Sequence, residues 1–191
     1  MGGYQVFDFD GTIYDGDSSK DFFLFVIKRY PQVLLMIPRF SWHGVLYLSK
    51  RCSKERMKES YFSFLRYIPD LPETLRLFWL EYEEKIYKWY RHRNHAGDVV
   101  ISASPDFLVR SALEQFGVYA VIGTKVDCYT GKFLSKNCYG QEKVYRFQEA
   151  LGNVEITEFY SDSISDLPMA RLAKQAYFVV RGEIKQWKVP R

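Results

Sequence analysis

The chain has 191 residues, of which 47% are hydrophobic and 26% are charged, so it is long enough to bury a core and ordinary in composition for a globular protein. Aromatic residues make up 18% of the chain, and side chains of that size need a packed interior or a pocket, which excludes a disordered chain. The net charge of +4 is compatible with an anionic small substrate and is too small to indicate a nucleic-acid-binding protein.

Cysteine usage and hydropathy indicate a cytoplasmic protein. Cys52, Cys128 and Cys138 have no CxxC spacing and no paired histidines nearby, so no zinc site is expected and a reducing compartment is the simplest setting. A disulfide between Cys128 and Cys138 is the less favoured alternative. The most apolar stretch, 22–40, is interrupted by charged residues and prolines and falls short of a membrane-spanning helix.

The predicted elements change character along the chain. Residues 4–9 (YQVFDF) predict a buried strand that ends in acidic residues, and 18–94 carry apolar residues at the three- and four-residue spacing of helices. After Asp98, strands alternate with helices, which predicts an α/β fold with a parallel sheet covered on both faces. The strands are predicted at 99–102, 119–122, 155–160 and 176–180, the helices at 105–116, 141–151 and 164–173, and a hairpin at 125–134.

The distance between the first two predicted strands indicates an insertion. A plain βαβ unit takes roughly 30 residues, whereas about ninety separate the first strand from the second. The additional residues are predicted to be helical. They follow the carboxyl end of the first strand, where open parallel sheets bind ligands. We therefore predict a core domain of residues 1–16 and 96–191, with residues 17–95 inserted as a helical cap.

Two acidic residues follow the first strand. Asp8 and Asp10 are two positions apart, so in an extended chain both carboxylates face one side, at the end of the sheet where parallel strands bind ligands. Their mutual repulsion requires a cation or a proton between them, which makes one a candidate nucleophile and metal ligand and the other a candidate acid. The structural alternative is a simple turn, since Asp and Gly favour turns.

Four further positions follow later strands or open later helices. Ser102 ends the second strand, Lys143 opens a helix, and Asp162 and Asp166 follow the strand of 155–160. Each has a plain structural alternative: helix capping for Ser102 and the two aspartates, and a solvated surface position for Lys143. Their order along the chain, together with Asp8 and Asp10, favours one shared site.

This set resembles the four signature motifs of the haloacid dehalogenase (HAD) superfamily, in its phosphoserine-phosphatase-like branch. The motifs read DFDGT at 8–12, VVISASP at 99–105, GQEKV at 140–144 and SDSISDLPMA at 161–170. The resemblance implies a Rossmann-like α/β core with an inserted α-helical cap of the C1 type. It also implies a phosphoric monoester hydrolase that depends on Mg²⁺.

The resemblance and the chemistry of phosphoryl transfer assign roles to these residues. Asp8 is expected to attack phosphorus, and Asp10 to protonate the leaving oxygen and then activate water. Asp8, the Asp10 carbonyl and Asp162 are the expected Mg²⁺ ligands, with Asp166 behind them holding a metal-bound water or orienting Lys143. The expected phosphate-binding groups are the Lys143 ammonium, the Ser102 hydroxyl with Ala103 beside it, and free N–H groups at Gly11 and Thr12.

The sequence does not identify the part of the substrate that carries the phosphate. Lys50, Lys54 and Lys58 are spaced as one helical stripe, which predicts either a basic mouth or a solvated face. A lipid phosphate at a membrane surface, as for relatives that act on phosphatidylglycerophosphate, is the runner-up to a small-molecule ester. Phosphoserine is less favoured, although Asp17 is near the position of an acidic substrate ligand in that branch. A non-catalytic phosphate-binding module is the alternative of another class, and phosphotransfer to an acceptor other than water is not excluded.

Overall fold

A computed structural model describes residues 3–190, apart from the side chain of Lys54. Its centre is one six-stranded sheet in the order β3-β2-β1-β4-β5-β6. The strands are β1 (Tyr4–Phe7), β2 (Asp98–Pro105), β3 (Ala120–Thr124), β4 (Ile156–Ser161), β5 (Ala173–Val180) and β6 (Glu183–Gln186). Strands β1 to β5 are parallel, and β6 pairs antiparallel with β5. The predicted α/β class is confirmed.

The long connection between β1 and β2 is helical, as predicted. It contains α1 (Ser18–Arg29), α2 (Ile37–Leu48), α3 (Lys54–Phe62), α4 (Leu71–Tyr82) and α5 (Lys88–Arg91), joined by short 3₁₀ turns. Side chains of Asp17, Ser53 and Asp70 accept the N–H groups that start α1, α3 and α4, so polar caps define these boundaries. The predicted lysine stripe is wrong, because α3 begins at Lys54 and Lys50 lies before it with a φ of 58°.

Helices α6 (Asp106–Leu113), α7 (Gln141–Leu151) and α8 (Leu167–Ala170) follow the later strands. The predicted hairpin is present, closed by the pairing of Val126 with Phe133. Two predictions for the C-terminal part were wrong in detail: the helix predicted at 164–173 ends at Ala170, and β6 was not predicted. The helix ends early because β5 already begins at Ala173, and β6 is an exposed edge strand without the buried alternation that identifies a strand.

Each face of the sheet has its own apolar core. On one face, Val6, Val99, Ile101 and Phe159 pack with α7 and α8. On the other, Phe7 and Val100 belong to a cluster that continues into the aromatic side chains of α1 and α4. Phe22 lies 5.2 Å from Phe78 between ring centroids, and the Trp79 indole donates to the Leu108 carbonyl over 3.1 Å. The helical insertion is therefore packed on the sheet through α1 and α4.

Two further predictions, on membrane-spanning helices and on cysteine pairing, can be compared with the structure. Among residues 3–190, no helix combines the length and the apolar character needed to cross a bilayer. Cys52, Cys128 and Cys138 are all free thiols, so the less favoured disulfide is not present.

The strand order creates a crevice at β1. From β1 the chain crosses to β2 on one side, while β4 lies on the other side, so the connections leave in opposite directions. Open parallel sheets bind ligands at such a point, beyond the carboxyl ends of the strands. The segments that follow β1, β2 and β4 begin here.

Candidate active site

The loop after β1 places Asp8 at the end of the sheet. The Asp8 N–H donates to the Tyr160 carbonyl over 2.8 Å, which continues the pairing of β1 with β4 by one residue. Phe9 is buried, and its carbonyl accepts the N–H groups of Ile13 and Tyr14 over 2.8 and 2.9 Å. The apolar side chain between the two acids anchors the loop in the core, as the alternation of an extended segment requires.

Gly11 and Thr12 shape this loop, and they do so differently from the prediction. The Gly11 N–H donates to the carbonyls of Tyr14 and Gly16, and the Thr12 N–H donates to the Phe9 carbonyl. Both donors are occupied within the loop, so the expectation of free N–H groups for phosphate is not met. The Thr12 hydroxyl instead accepts the Asp162 N–H over 2.9 Å, which ties the β1 loop to the β4 loop.

Lys143 joins two of the predicted acids. It is buried at the start of α7, and its ammonium lies 2.7 Å from Asp8 Oδ1 and 2.7 Å from Asp166 Oδ2. The plain alternative of a solvated surface lysine is therefore wrong. Burial alone would lower the pKa of Lys143, but the charges of Asp8 and Asp166 outweigh it and raise the pKa, so the ammonium is charged.

Asp166 accepts a hydrogen bond from a second donor in addition to Lys143. The Ser161 hydroxyl donates to Asp166 Oδ2 over 2.8 Å, while Asp166 Oδ1 is buried without a hydrogen-bond partner among the described residues. The position fits the predicted place of Asp166 behind the site, where it orients Lys143.

Asp10 is surrounded by hydroxyl and amide donors that the sequence analysis missed. The Ser18 N–H donates to Asp10 Oδ1 over 2.6 Å, and the Ser104 hydroxyl donates to Asp10 Oδ2 over 2.5 Å. Ser19 lies 3.0 Å from Ser104 between hydroxyl oxygens. Ser104 is two positions after Ser102, the same spacing that singled out Asp8 and Asp10, so a signal was available for Ser104. Ser18 and Ser19 offered none, because only the packing of α1 brings them here.

Burial dominates the electrostatics of both acids. It raises the pKa of Asp8 to about 7, against the opposing effect of Lys143 and with the charges of Asp166 and Asp10 adding to it. Burial also raises the pKa of Asp10, which the hydrogen bonds from Ser104 and Ser18 partly counteract. Several carboxylates around one ammonium leave an excess of negative charge, and a bound cation would offset that excess.

The site opens into a cavity of about 700 Å³. Asp8, Asp10, Ser102, Ala103 and Lys143 line its inner part, and Asp162 and Asp166 line it from the β4 side. The helical insertion contributes a second group of lining residues. The sequence had suggested Asp17 and Lys58 as substrate-facing positions, and it had singled out none of the other four: Ser19, Lys20, Tyr61 and Phe62. The cavity therefore combines a polar, charged interior with an outer wall that is partly aromatic.

Helix α3 is fixed over this cavity by contacts to the hairpin that follows β3. The Phe133 N–H donates to Glu59 Oε1 over 2.9 Å, and the rings of Phe62 and Phe133 lie 6.2 Å apart. The Lys58 ammonium donates to Asn137 Oδ1 over 3.0 Å. These contacts hold Lys58, Tyr61 and Phe62 at the mouth.

Gly11 supplies a test of how tightly the two loops are packed. Its φ is +72°, and a Cβ at this position would lie 2.0 Å from Asp162 Oδ2. Replacing Gly11 with Ala should therefore displace Asp162 and lower kcat/KM by about 100-fold or more, since a shift of ~1 Å at a site has that effect. Steady-state kinetics on any substrate that the parent hydrolyses measures the loss.

Gly117 provides the matched control. Its φ is +64°, close to that of Gly11, but no atom lies within 4 Å of the added Cβ. Both substitutions should cost about 1–2 kcal/mol of unfolding free energy from the left-handed backbone, and only Gly11→Ala should lose activity. Equal activity in the two variants would show that contact between Gly11 and Asp162 has no part in the site.

Comparisons with known proteins identify the family of the chain. The family model for haloacid dehalogenase-like hydrolases matches residues 6–171. A histidinol-phosphatase from Neisseria meningitidis is 25% identical over an alignment that covers 92% of this chain and 89% of that protein. Protein CicA from Caulobacter vibrioides is 34% identical over 44% of this chain and 41% of its own length.

Solved structures show the same fold. A protein of unknown function from Bordetella pertussis superposes with a TM-score of 0.73 at 21% identity, over 91% of this chain and 87% of that one. A phosphoserine phosphatase, solved as an analogue of its phospho-aspartyl intermediate, superposes with a TM-score of 0.51 at 18% identity, over 91% and 84%. The matched model spans all four motifs, and the chain belongs to the haloacid dehalogenase-like hydrolase family.

Proposed function

We propose that this protein is a magnesium-dependent phosphatase that hydrolyses a phosphate monoester through an aspartyl-phosphate on Asp8. The observation that carries the proposal is the Lys143 ammonium, which lies 2.7 Å from Asp8 and 2.7 Å from Asp166 beside a cavity large enough for a small ester. A cation fixed next to a carboxylate at the end of β1 suits a nucleophile that must meet an anionic phosphoryl group. The similarity to a histidinol-phosphatase supports the same reaction class.

In the first step Asp8 attacks phosphorus, and the bond between phosphorus and the ester oxygen breaks. Lys143 and the Ser102 hydroxyl stabilise the phosphoryl oxygens. Ser102 Oγ accepts the Ser104 N–H over 3.0 Å, which leaves the Ser102 hydroxyl hydrogen to donate. Because Asp166 also binds the Lys143 ammonium, the cation stays in place as the charge of Asp8 is consumed.

Asp10 transfers the protons. Its raised pKa favours the protonated form, which gives its proton to the leaving oxygen. In the second step the resulting Asp10 carboxylate takes a proton from the water that attacks phosphorus. The bond to Asp8 breaks, inorganic phosphate leaves, and Asp8 regains its carboxylate. Donors from Ser18 and Ser104 hold Asp10 in one position through both steps.

The donor set fits Mg²⁺. Within the part of the chain that the structure describes, no three acidic, histidine or cysteine side chains form a ready-made metal-binding group. The proposed ligands are instead two carboxylates, Asp8 and Asp162, and the Asp10 carbonyl, and Mg²⁺ characteristically takes few carboxylates with waters and substrate phosphate. Asp162 Oδ2 occupies the space where a Gly11 Cβ would be, so its carboxylate faces the β1 loop. When bound, the ion supplies charge neutralisation between nucleophile and phosphoryl oxygens.

The outer wall indicates the body of the substrate. Lys20 and Lys58 are cationic, Asp17 is anionic, and Tyr61 and Phe62 are aromatic, so the mouth accommodates a compact ester with polar and apolar parts. We propose that α3 and its neighbours act as the cap that selects this body. The first experiment is a Mg²⁺-supplemented screen of amino-acid, amino-alcohol, sugar, nucleotide and lipid phosphates. Turnover of one class is expected, and no turnover on any member would favour the phosphate-binding module.

Asp10→Asn tests the assignment of the acid. Alkyl phosphates need protonation of the leaving oxygen, whereas p-nitrophenyl phosphate releases an anion that is stable without a proton. The rate of the first step, measured as the burst of released alcohol, should fall by about 10²–10⁴-fold for an alkyl ester and far less for p-nitrophenyl phosphate. Equal losses on the two esters would remove Asp10 from the role of acid.

A further inference from the structure

One surface of the helical insertion exposes apolar side chains. Leu35, Trp42 and Leu48 are 75%, 62% and 82% exposed, and Leu34 and Val45 are about half exposed. All twelve residues of α2 are described, and none of them is buried. We call these five side chains the α2 surface; Leu34 and Leu35 lie in the 3₁₀ turn just before α2, and the other three lie on α2. Five exposed large apolar side chains within fifteen residues are more than the single exposed leucines of an ordinary surface, and such a concentration is typical of a docking site.

Helical spacing explains why the three α2 side chains of this surface point outward together. Trp42, Val45 and Leu48 follow each other at three-residue intervals, so they lie along one side of α2. The opposite side faces α3, where the rings of Phe40 and Tyr61 lie 5.4 Å apart. Because α2 is held on α3 by that contact, the α2 surface faces solvent.

The charges in the stretch of sequence around this surface have one sign. The sequence contains no Asp or Glu from Phe22 to Lys54, and that stretch has five basic side chains that the structure shows exposed, two before α2, one within it and two after it. They are Lys28, Arg29, Arg39, Lys50 and Arg51. An apolar helix face with Trp and Leu, surrounded by Lys and Arg, is the pattern of a helix that lies in a membrane interface.

We propose that the α2 surface docks on an anionic phospholipid bilayer, with Trp42 and the leucines in the headgroup region and the basic residues against lipid phosphates. Charge complementarity favours this occupant. A second copy of the chain paired across the same surface would bring the same basic residues against each other, which opposes self-association. The inference does not rest on the proposed activity.

Docking there would bring the cavity close to the bilayer. Helix α2 packs on α3, and Lys58, Tyr61 and Phe62 of α3 line the mouth of the cavity. The mouth is therefore separated from the docked surface by one helix.

The test is flotation of the full chain with vesicles of phosphatidylcholine, alone or with about 30% phosphatidylglycerol. Binding is expected to the anionic vesicles and to weaken with added salt. The double variant Leu35→Ser, Leu48→Ser should bind at least about tenfold more weakly. The matched control replaces two exposed leucines outside the α2 surface, Leu80→Ser and Leu172→Ser, and should bind like the parent.

Two further readouts keep the proposal falsifiable. Brominated lipid should quench the fluorescence of the parent and not that of Trp42→Phe, which places Trp42 in the interface. Light scattering after gel filtration should give the same mass for the parent and the Leu35, Leu48 double variant. Absence of vesicle binding, equal weakening in the control variant, or an oligomer that the double variant dissociates would each overturn the proposal.

Discussion

Replacing Asp8 with Asn should abolish turnover of every phosphate ester that the parent protein hydrolyses. The amide has nearly the size of the carboxylate but lacks the charge needed to attack phosphorus, and removal of a nucleophile lowers kcat on the order of 10⁴–10⁶-fold. The fold should survive, because Lys143 keeps its ion pair with Asp166 over 2.7 Å. Burial raises the pKa of Asp8 to about 7, so the charged carboxylate is destabilised in the folded protein. Replacing it with a neutral amide should therefore not lower the free energy of unfolding.

Glu149→Gln is the matched control for this variant. It makes the same acid-to-amide change at an exposed position on α7, outside the lining of the active-site cavity. Its kcat and thermal midpoint should equal those of the parent. Wild-type turnover by Asp8→Asn would contradict the nucleophile assignment, and a collapse of its thermal midpoint would contradict the account of the buried ion pairs.

Removing divalent cations should stop turnover as completely as the loss of Asp8. EDTA is expected to abolish activity and excess Mg²⁺ to restore it, because five aspartates line the cavity and three lysines do not balance their charge. The aspartates are Asp8, Asp10, Asp17, Asp162 and Asp166, and the lysines are Lys20, Lys58 and Lys143. Ca²⁺ should substitute poorly, since it takes more oxygen ligands at longer distances and tends to occupy both oxygens of a carboxylate.

Chelation is expected to leave the fold unchanged, and measuring the fold is the control for this experiment. Circular dichroism of the EDTA-treated protein should match that of the untreated protein, since the Lys143 ammonium binds both Asp8 and Asp166 and holds the two carboxylates together. Full activity in EDTA, or full activity in Ca²⁺ alone, would contradict the proposed ligand set.

The structure brings the inner-site residues named from the sequence into one cavity, because their positions follow from the sheet. Asp8 and Asp162 directly follow β1 and β4, and Ser102 lies in the C-terminal half of β2, so all three are near the edge where the carboxyl ends of neighbouring parallel strands meet. Lys143 could be placed because it opens the helix between two of these strands. Whether a residue is near the end of a strand or opens a helix can be predicted from the nearby sequence, without knowledge of the tertiary packing.

The parts that the sequence did not predict depend on tertiary packing. Ser18 and Ser19 reach Asp10 and Ser104 only because α1 packs against the end of β2. Tyr61 and Phe62 reach the mouth because the hairpin after β3 holds α3 in place. The N–H groups of Gly11 and Thr12 were expected to be free, but they are hydrogen-bonded within the loop. Residue types alone do not show how a loop pairs its own backbone groups.

The central claim is that a phosphoryl group passes through Asp8, and trapping it is the most direct test. Asp10→Asn protein should be mixed with substrate and Mg²⁺, quenched in acid, digested at low pH and analysed by mass spectrometry. We expect one phosphoryl group on Asp8. Neutral hydroxylamine should remove this group, because hydroxylamine cleaves acyl phosphates. A hydroxylamine-resistant phosphoester on Ser102, Ser104 or Ser19, or turnover by the parent protein with no label on Asp8, would contradict it.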